Sequence, residues 1–309
     1  MPLTMADSWD KLPGFYKRLR IDFAARGVVA QLRHRNVAAL DPDPAPHCFD
    51  FVHNGRVQRP RTLNTALGYI PPFWYADPIG VLADSSLADT AFDPASVPKA
   101  EARAFCARQR KRLVGTRTSR HPQPTDRQDF PQGCIAVFLQ GWSDPIARSR
   151  HMDAADMLQA VLDHPGGRAV VVKPHPKNLD QETQDLIDML QANHPDVIVT
   201  GANVHDILRC ADVTVSISSA VALEGMLHGK PAVLFGRSDF HHAALTVRHA
   251  PDWPAALARA LGTSWDFEPF LYWFLADAMI NAGRDDMFDR LLTRMEQVGA
   301  DLGALGLRS

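Results

Sequence analysis

Residues 204–236 read "VHDILRCADVTVSISSAVALEGMLHGKPAVLFG". Two strand-like runs, "DVTVSIS" and "PAVLFG", are separated by "SAVALEGMLHG", whose apolar spacing is helical and which closes at Gly229. Two strands joined by a helix need a crossover connection, so this stretch is a βαβ unit, and its strands lie parallel.

The same alternation extends upstream. "CIAVFLQ", "GRAVVVK" and "DVIVTG" read as strands, while "MDAADMLQAVLDH", "QETQDLIDMLQANH" and "VHDILRCA" read as helices. The strands are apolar runs, which suits a parallel sheet covered on both faces. The expected organisation is a first lobe over 1–130, a Rossmann-like lobe over 131–264, and a helical tail over 265–309 that opens with "WDFEPFLYWF" and could pack back on the first lobe. Prolines and glycines interrupt the first lobe. Its end, "RTSRHPQPTDRQDFPQG" (117–133), reads as an interdomain linker.

Composition narrows the function classes. With 309 residues, 46% of them hydrophobic, the chain can bury a large core, and a net charge of −2 gives no reason to expect nucleic acid as a partner. No run reaches the length of a transmembrane helix, and the N-terminus lacks a signal-peptide layout, so a cytoplasmic protein is expected. The cysteines, Cys48, Cys106, Cys134 and Cys210, form no CxxC pair, and neither a metal site nor a disulfide is expected. No phosphate-binding P-loop, GxGxxG, GxSxG or HExxH motif occurs. The basic run "ARQRKRL" with "GTRTSRH" reads first as a solvated face and otherwise as a holder for a polyanionic acceptor or an anionic membrane surface.

In an open parallel sheet, ligands bind beyond the carboxyl ends of the strands. The stretches expected there are "QGWSDP", "KPHP", "SSAVALE" and "GRSDFHH". In "KPHP" two prolines fix the backbone around His175 and its neighbour Lys173. Ser218 and Ser219 at a strand-to-helix turn could bind an anion or simply cap the helix, and Glu224 either faces solvent or accepts from sugar hydroxyls. Asp144 is the carboxylate candidate for base or nucleophile. Arg237 and His241, beside Asp239 and His242, are candidate contacts for a substrate carboxylate.

The ordered combination of "KPHP" and "HDILRCADVTVSISSAVALEGMLHGKPAVLFGRSDF" resembles the nucleotide-binding lobe of bacterial capsular polysaccharide biosynthesis proteins, especially the β-Kdo transferases, over roughly 134–245. The resemblance implies an α/β, GT-B-like fold with two Rossmann-like lobes and a cleft. It implies a glycosyltransferase using a CMP-activated sugar, with no cofactor beyond that donor and no metal. It assigns His175, Pro176, Ser218 and Ser219 to the nucleotide, with Lys173 and Glu224 beside them, and Asp144 and His175 to catalysis. The implied partners are the nucleotide-sugar donor and a glycan or glycolipid acceptor, with an inner-membrane surface or a capsule assembly complex as further partners. Rival readings are transfer of a polyol phosphate from a CDP-activated donor, a non-catalytic assembly subunit, and a nucleotide-sugar epimerase.

Overall fold

The computed structural model describes residues 8–34, 43–141, 144–177 and 181–308, with the side chains of 144–146 outside that description. In chain order the elements are α1 (Gly14–Ala24), β1 (Asp50–His53), β2 (Thr62–Leu67), β3 (Phe73–Asp77), α2 (Lys99–Leu113), β4 (Cys134–Phe138), α3 (Asp144–Ser149) and α4 (Ala154–Asp163). They continue as β5 (Val170–Lys173), α5 (Gln181–Asn193), β6 (Ile198–Val199), α6 (Val204–Cys210), β7 (Ala211–Ser216), α7 (Val221–Leu227) and β8 (Ala232–Leu234). The last are β9 (Leu245–Thr246), α8 (Trp253–Gly262), α9 (Glu268–Leu271), β10 (Ile280–Asn281) and α10 (Met287–Gln297).

Two compact units result: 91–274, and 1–90 with 275–309. In the larger unit the described strands form a parallel sheet in the order β6-β5-β4-β7-β8-β9. Numbered along the chain this is 3-2-1-4-5-6, the doubly wound Rossmann order. Burial follows the pleat. Ile135 and Val137 join one core with Val170, Val172, Val213, Val215, Leu190 and Trp253, whereas Cys134, Ala136 and Phe138 join the other with Val171, Val204, Ile207 and Leu208. Both faces are covered, which is why the strands read as unbroken apolar runs. Helix α7 ends where expected. Gly229 sits at φ 73°, Lys230 N–H bonds to the Gly225 carbonyl and Gly229 N–H to that of Met226, the Schellman pattern that a left-handed glycine permits.

The smaller unit holds a mixed sheet, β1-β2-β3-β10, in which only β1 and β2 are parallel. It departs from the parallel lobe implied for the N-terminal half because β2 and β3 are joined by a short connection, which permits only antiparallel pairing. Phe15, Tyr16, Leu19 and Phe23 form one stripe of α1 and pack with Leu63, Trp74, Met287, Leu291 and Met295.

The boundary expected near 130 falls instead at 90/91. The reason is packing: Phe92 meets Phe270 and Trp273 edge-on or tilted, Phe105 meets Tyr272, and Arg110 pairs with Glu268 at 2.6 Å while donating to the Leu227 carbonyl. The tail divides too. Its aromatic opening stays with the larger unit, and only 275–309 joins the smaller one, through β10 paired with β3.

Candidate functional site

A 3-2-1-4-5-6 sheet reverses its winding between its first and fourth strands, here β4 and β7, and such a reversal is where ligands of doubly wound sheets bind. Across that point the Gln140 side chain reaches from the β4 loop and accepts from the Ser218 backbone N–H at 2.7 Å. The β5 loop, carrying His175, is the next along the rim.

His175 is half-buried, and its Nδ1 accepts from Lys177 N–H at 3.2 Å. In the neutral ring the proton is therefore on Nε2, which makes that nitrogen a donor. Burial first, then the positive charges of Lys177, Arg120 and Lys173, hold its pKa below the ordinary histidine value. Lys173 departs from expectation. It is 6% exposed, and its Nζ donates to the Gly201 carbonyl at 3.0 Å and the Ala202 carbonyl at 2.6 Å, so the ammonium ties β5 to the loop after β6. Ser219 turns into the strand-to-helix junction: its Oγ accepts from Val221 N–H at 3.3 Å, and its own N–H donates to Ser216 Oγ, while the N-cap position itself is Ala220. The Asp144 side chain lies outside the described residues; its backbone opens α3 on the loop after β4.

Arg237 and His241 are exposed on the loop after β8, farther from the reversal. Ser149, the last residue of α3, and His151 just beyond it clip that loop: Arg237 N–H donates to the Ser149 carbonyl at 2.7 Å and His151 N–H to the Phe235 carbonyl at 2.9 Å. His241 Nδ1–H donates to the Ser238 carbonyl, with its ring stacked on His242.

Glu224 is neither solvent-facing nor open to a sugar. It is 2% exposed; Oε1 accepts from Ser119 Oγ at 2.6 Å, while Oε2 is buried without a hydrogen bond, 3.9 Å from His205 Nε2. Burial pushes its carboxyl up to about 7, against the lowering effect of the Ser119 bond. His205 Nε2–H donates to the Thr118 carbonyl at 2.9 Å, which leaves its Nδ1 to accept from His228 Nε2–H at 3.0 Å. Burial keeps both rings neutral, His228 down at about 4.

The segment read as a linker is thus fastened along its length. Arg117, at φ 53°, pairs with Asp206 through two bonds of 3.0 and 2.7 Å; Asn203 Nδ2 donates to the Arg117 and Pro124 carbonyls; Gln123 Oε1 accepts from Val204 N–H; and Gln128 N–H donates to Asp206. Beyond Ser119 it brings His121 against His175, ring centres 5.1 Å apart and nearly perpendicular. Sequence reasoning missed His121 and Gln140. Gln140 stood within a quoted rim stretch, but His121 gave no signal beyond its basic neighbours.

Residues 145–265 match the capsule polysaccharide biosynthesis protein family. The match takes in β5 to β9 and the rim residues from His175 to His241, and stops short of the fastened segment. Among solved structures, the β-Kdo 2,7 transferase of Thermosulfurimonas dismutans KpsC is 19% identical, over 84% of this chain and 87% of that one, with a TM-score of 0.52. The β-Kdo 2,4 transferase of the same KpsC is 20% identical over 59% of this chain, which spans only 60% of its length, at a TM-score of 0.42. The wall teichoic acid polymerase TagF, H444N variant, is 10% identical over 77% of this chain and 53% of its own, at 0.31. No curated protein matches. The chain therefore resembles capsule polysaccharide biosynthesis proteins over that span and has an α/β, GT-B-like fold. Among the described residues no helix is long and apolar enough to cross a membrane, and none of their His, Cys, Asp and Glu side chains group to hold a metal.

Proposed function

We propose that this protein transfers an acidic sugar of the Kdo class from a CMP-activated donor to a glycan or glycolipid acceptor in surface polysaccharide synthesis. The observation that carries this reading is the placement of His175, whose Nδ1 accepts from Lys177 N–H and so leaves Nε2 as the donor of the neutral ring, at the rim beside the winding reversal that Gln140 and Ser218 bridge. In the reaction the bond from the anomeric carbon to the phosphate oxygen breaks, and its electron pair leaves with CMP. The His175 Nε2–H and the Ser218 hydroxyl stabilise the charge that develops there; loss of one such donor costs about 10²–10³ in rate. Asp144, on the β4 loop, is the carboxylate assigned either to attack the anomeric carbon or to take the proton of the acceptor hydroxyl.

The test is incubation with CMP-Kdo and an acceptor glycan, with CMP release followed by chromatography and the product by mass spectrometry. Sugar added to the acceptor supports the reading. Glycerol phosphate transferred from CDP-glycerol would replace it with polyol-phosphate transfer, and turnover of a nucleotide sugar without acceptor would replace it with epimerisation. Asp144→Asn is expected to lower kcat by at least about 10³-fold while CMP still raises the melting temperature. Unchanged turnover removes Asp144 from the chemistry.

A further inference from the structure

Three consecutive residues outside the matched family span are each held by a buried group of the Rossmann-like sheet's own helices. Arg117 is held by Asp206 of α6, the Thr118 carbonyl by His205 of α6, and the Ser119 hydroxyl by Glu224 of α7. Arg117 is kept in the left-handed region, a conformation that persists only where its surroundings impose it. An interdomain tether needs none of this. What the fastening accomplishes is local: two residues on from Ser119, His121 is delivered to the β5 loop, where it meets His175, whose Nδ1 accepts from Lys177 N–H.

Among the described residues, the charged groups that lower both rings' pKa are all positive, Lys177 and Arg120 acting on both and Lys173 on His175 as well, and the rings themselves meet at 5.1 Å. The Lys173 ammonium is turned to backbone carbonyls, so the groups that can meet a ligand at the rim are the two imidazoles and Lys177, with Arg120 exposed beside them. Two imidazoles crossed edge to face among positive neighbours resist protonation, and each keeps a ring N–H to donate to a shared anion.

We propose that His121 and His175, with Lys177, form a two-histidine clamp for a phosphate ester, and that the 117–121 segment is the strap that sets the clamp's spacing. The proposal rests on the donor-site reading insofar as that phosphate belongs to the nucleotide of the donor. Glu224 then acts as a positioning residue through Ser119.

Two probes separate the clamp from the reading: inorganic phosphate at matched ionic strength, and CMP. Histidine ring signals are followed by NMR in the full-length protein, and dissociation constants are compared for wild type, His121→Ala and His121→Gln. The clamp requires phosphate to shift the rings of both His121 and His175. It also requires His121→Ala to weaken both probes by roughly tenfold, the value of a charge-assisted hydrogen bond, and His121→Gln, which keeps a donor, to recover part of that loss. Phosphate binding that depends on His121 without any CMP binding leaves the clamp standing and removes the nucleotide reading. CMP binding that is equal in wild type and His121→Ala overturns the clamp and leaves the nucleotide reading intact. Failure of wild type to bind either probe overturns both.

Discussion

Glu224→Gln replaces the buried carboxyl with a neutral group of nearly the same shape, so the two proteins differ chiefly in one titration. In the unfolded chain this carboxyl has its ordinary value of 4.5, and in the fold burial raises it to about 7. A raised carboxyl binds its proton more tightly when folded, so the wild-type protein is favoured at low pH and loses stability as pH climbs from the unfolded value through the folded one. At about 1.36 kcal/mol per unit the full loss is about 3 kcal/mol, of which about 2 kcal/mol falls between pH 5.5 and pH 8. Ser119 and His205 face Glu224, with His228 bonded to the far side of His205, and all three are common to both proteins and uncharged above pH 6.5, so the difference reports chiefly the carboxyl. Urea denaturation of both proteins at the two pH values measures it directly. The wild type should lose about 2 kcal/mol relative to Glu224→Gln, or roughly 4–8 °C in Tm. A difference that stays constant from pH 5.5 to 8 would refute the claim that Glu224 is buried with an uncompensated oxygen.

Two ion pairs give opposite expectations. Arg117→Ala strands Asp206, whose side chain is 6% exposed, and should cost about 3–5 kcal/mol in chemical denaturation; Arg209→Ala, at an exposed pair with Asp129, should leave the melting temperature unchanged. Lys173→Met leaves the Gly201 and Ala202 carbonyls without their donor, so it should lower stability by about 2–4 kcal/mol yet change CMP affinity by less than about threefold. A large loss of CMP affinity at unchanged stability would return Lys173 to the ligand.

The larger unit was legible because its information is local. Each strand of the parallel sheet is an apolar run, each helix between them has its own stripe, and Gly229 marks a helix end by backbone geometry alone. The failures are all long-range. The 117–133 stretch looks like a tether because its polar side chains carry no periodicity; their partners stand 89 residues away for Arg117 with Asp206 and 105 for Ser119 with Glu224. Lys173 reads as a rim cation until the loop after β6 turns its carbonyls toward it. The smaller sheet closes with a strand from the far end of the chain, so no window of the first lobe contains the whole unit. At the site, the resemblance pointed to His175 and to the turn at Ser218, whereas the imidazole that crosses His175 comes from a segment the family match does not reach.

The buried polar cluster beneath that segment also explains why Glu224 stands in an otherwise apolar helix. A leucine at 224 would remove the pH penalty and fill the space with apolar atoms, as replacing buried ionic groups by hydrophobic ones often does at no loss of stability. It would also release Ser119, and with it the constraint on where Arg120 and His121 emerge. A carboxyl that is costly at neutral pH and accepts a hydrogen bond two residues from a rim histidine is consistent with local order being retained at the expense of stability, a trade expected where a sequence departs from its own packing rules at a functional site. The Glu224 titration and the His121 clamp are therefore linked through one hydroxyl. Ser119→Ala should leave the carboxyl buried, raise its pKa further by removing the bond that lowers it, and loosen the phosphate contact of His121 while that of His175 is kept.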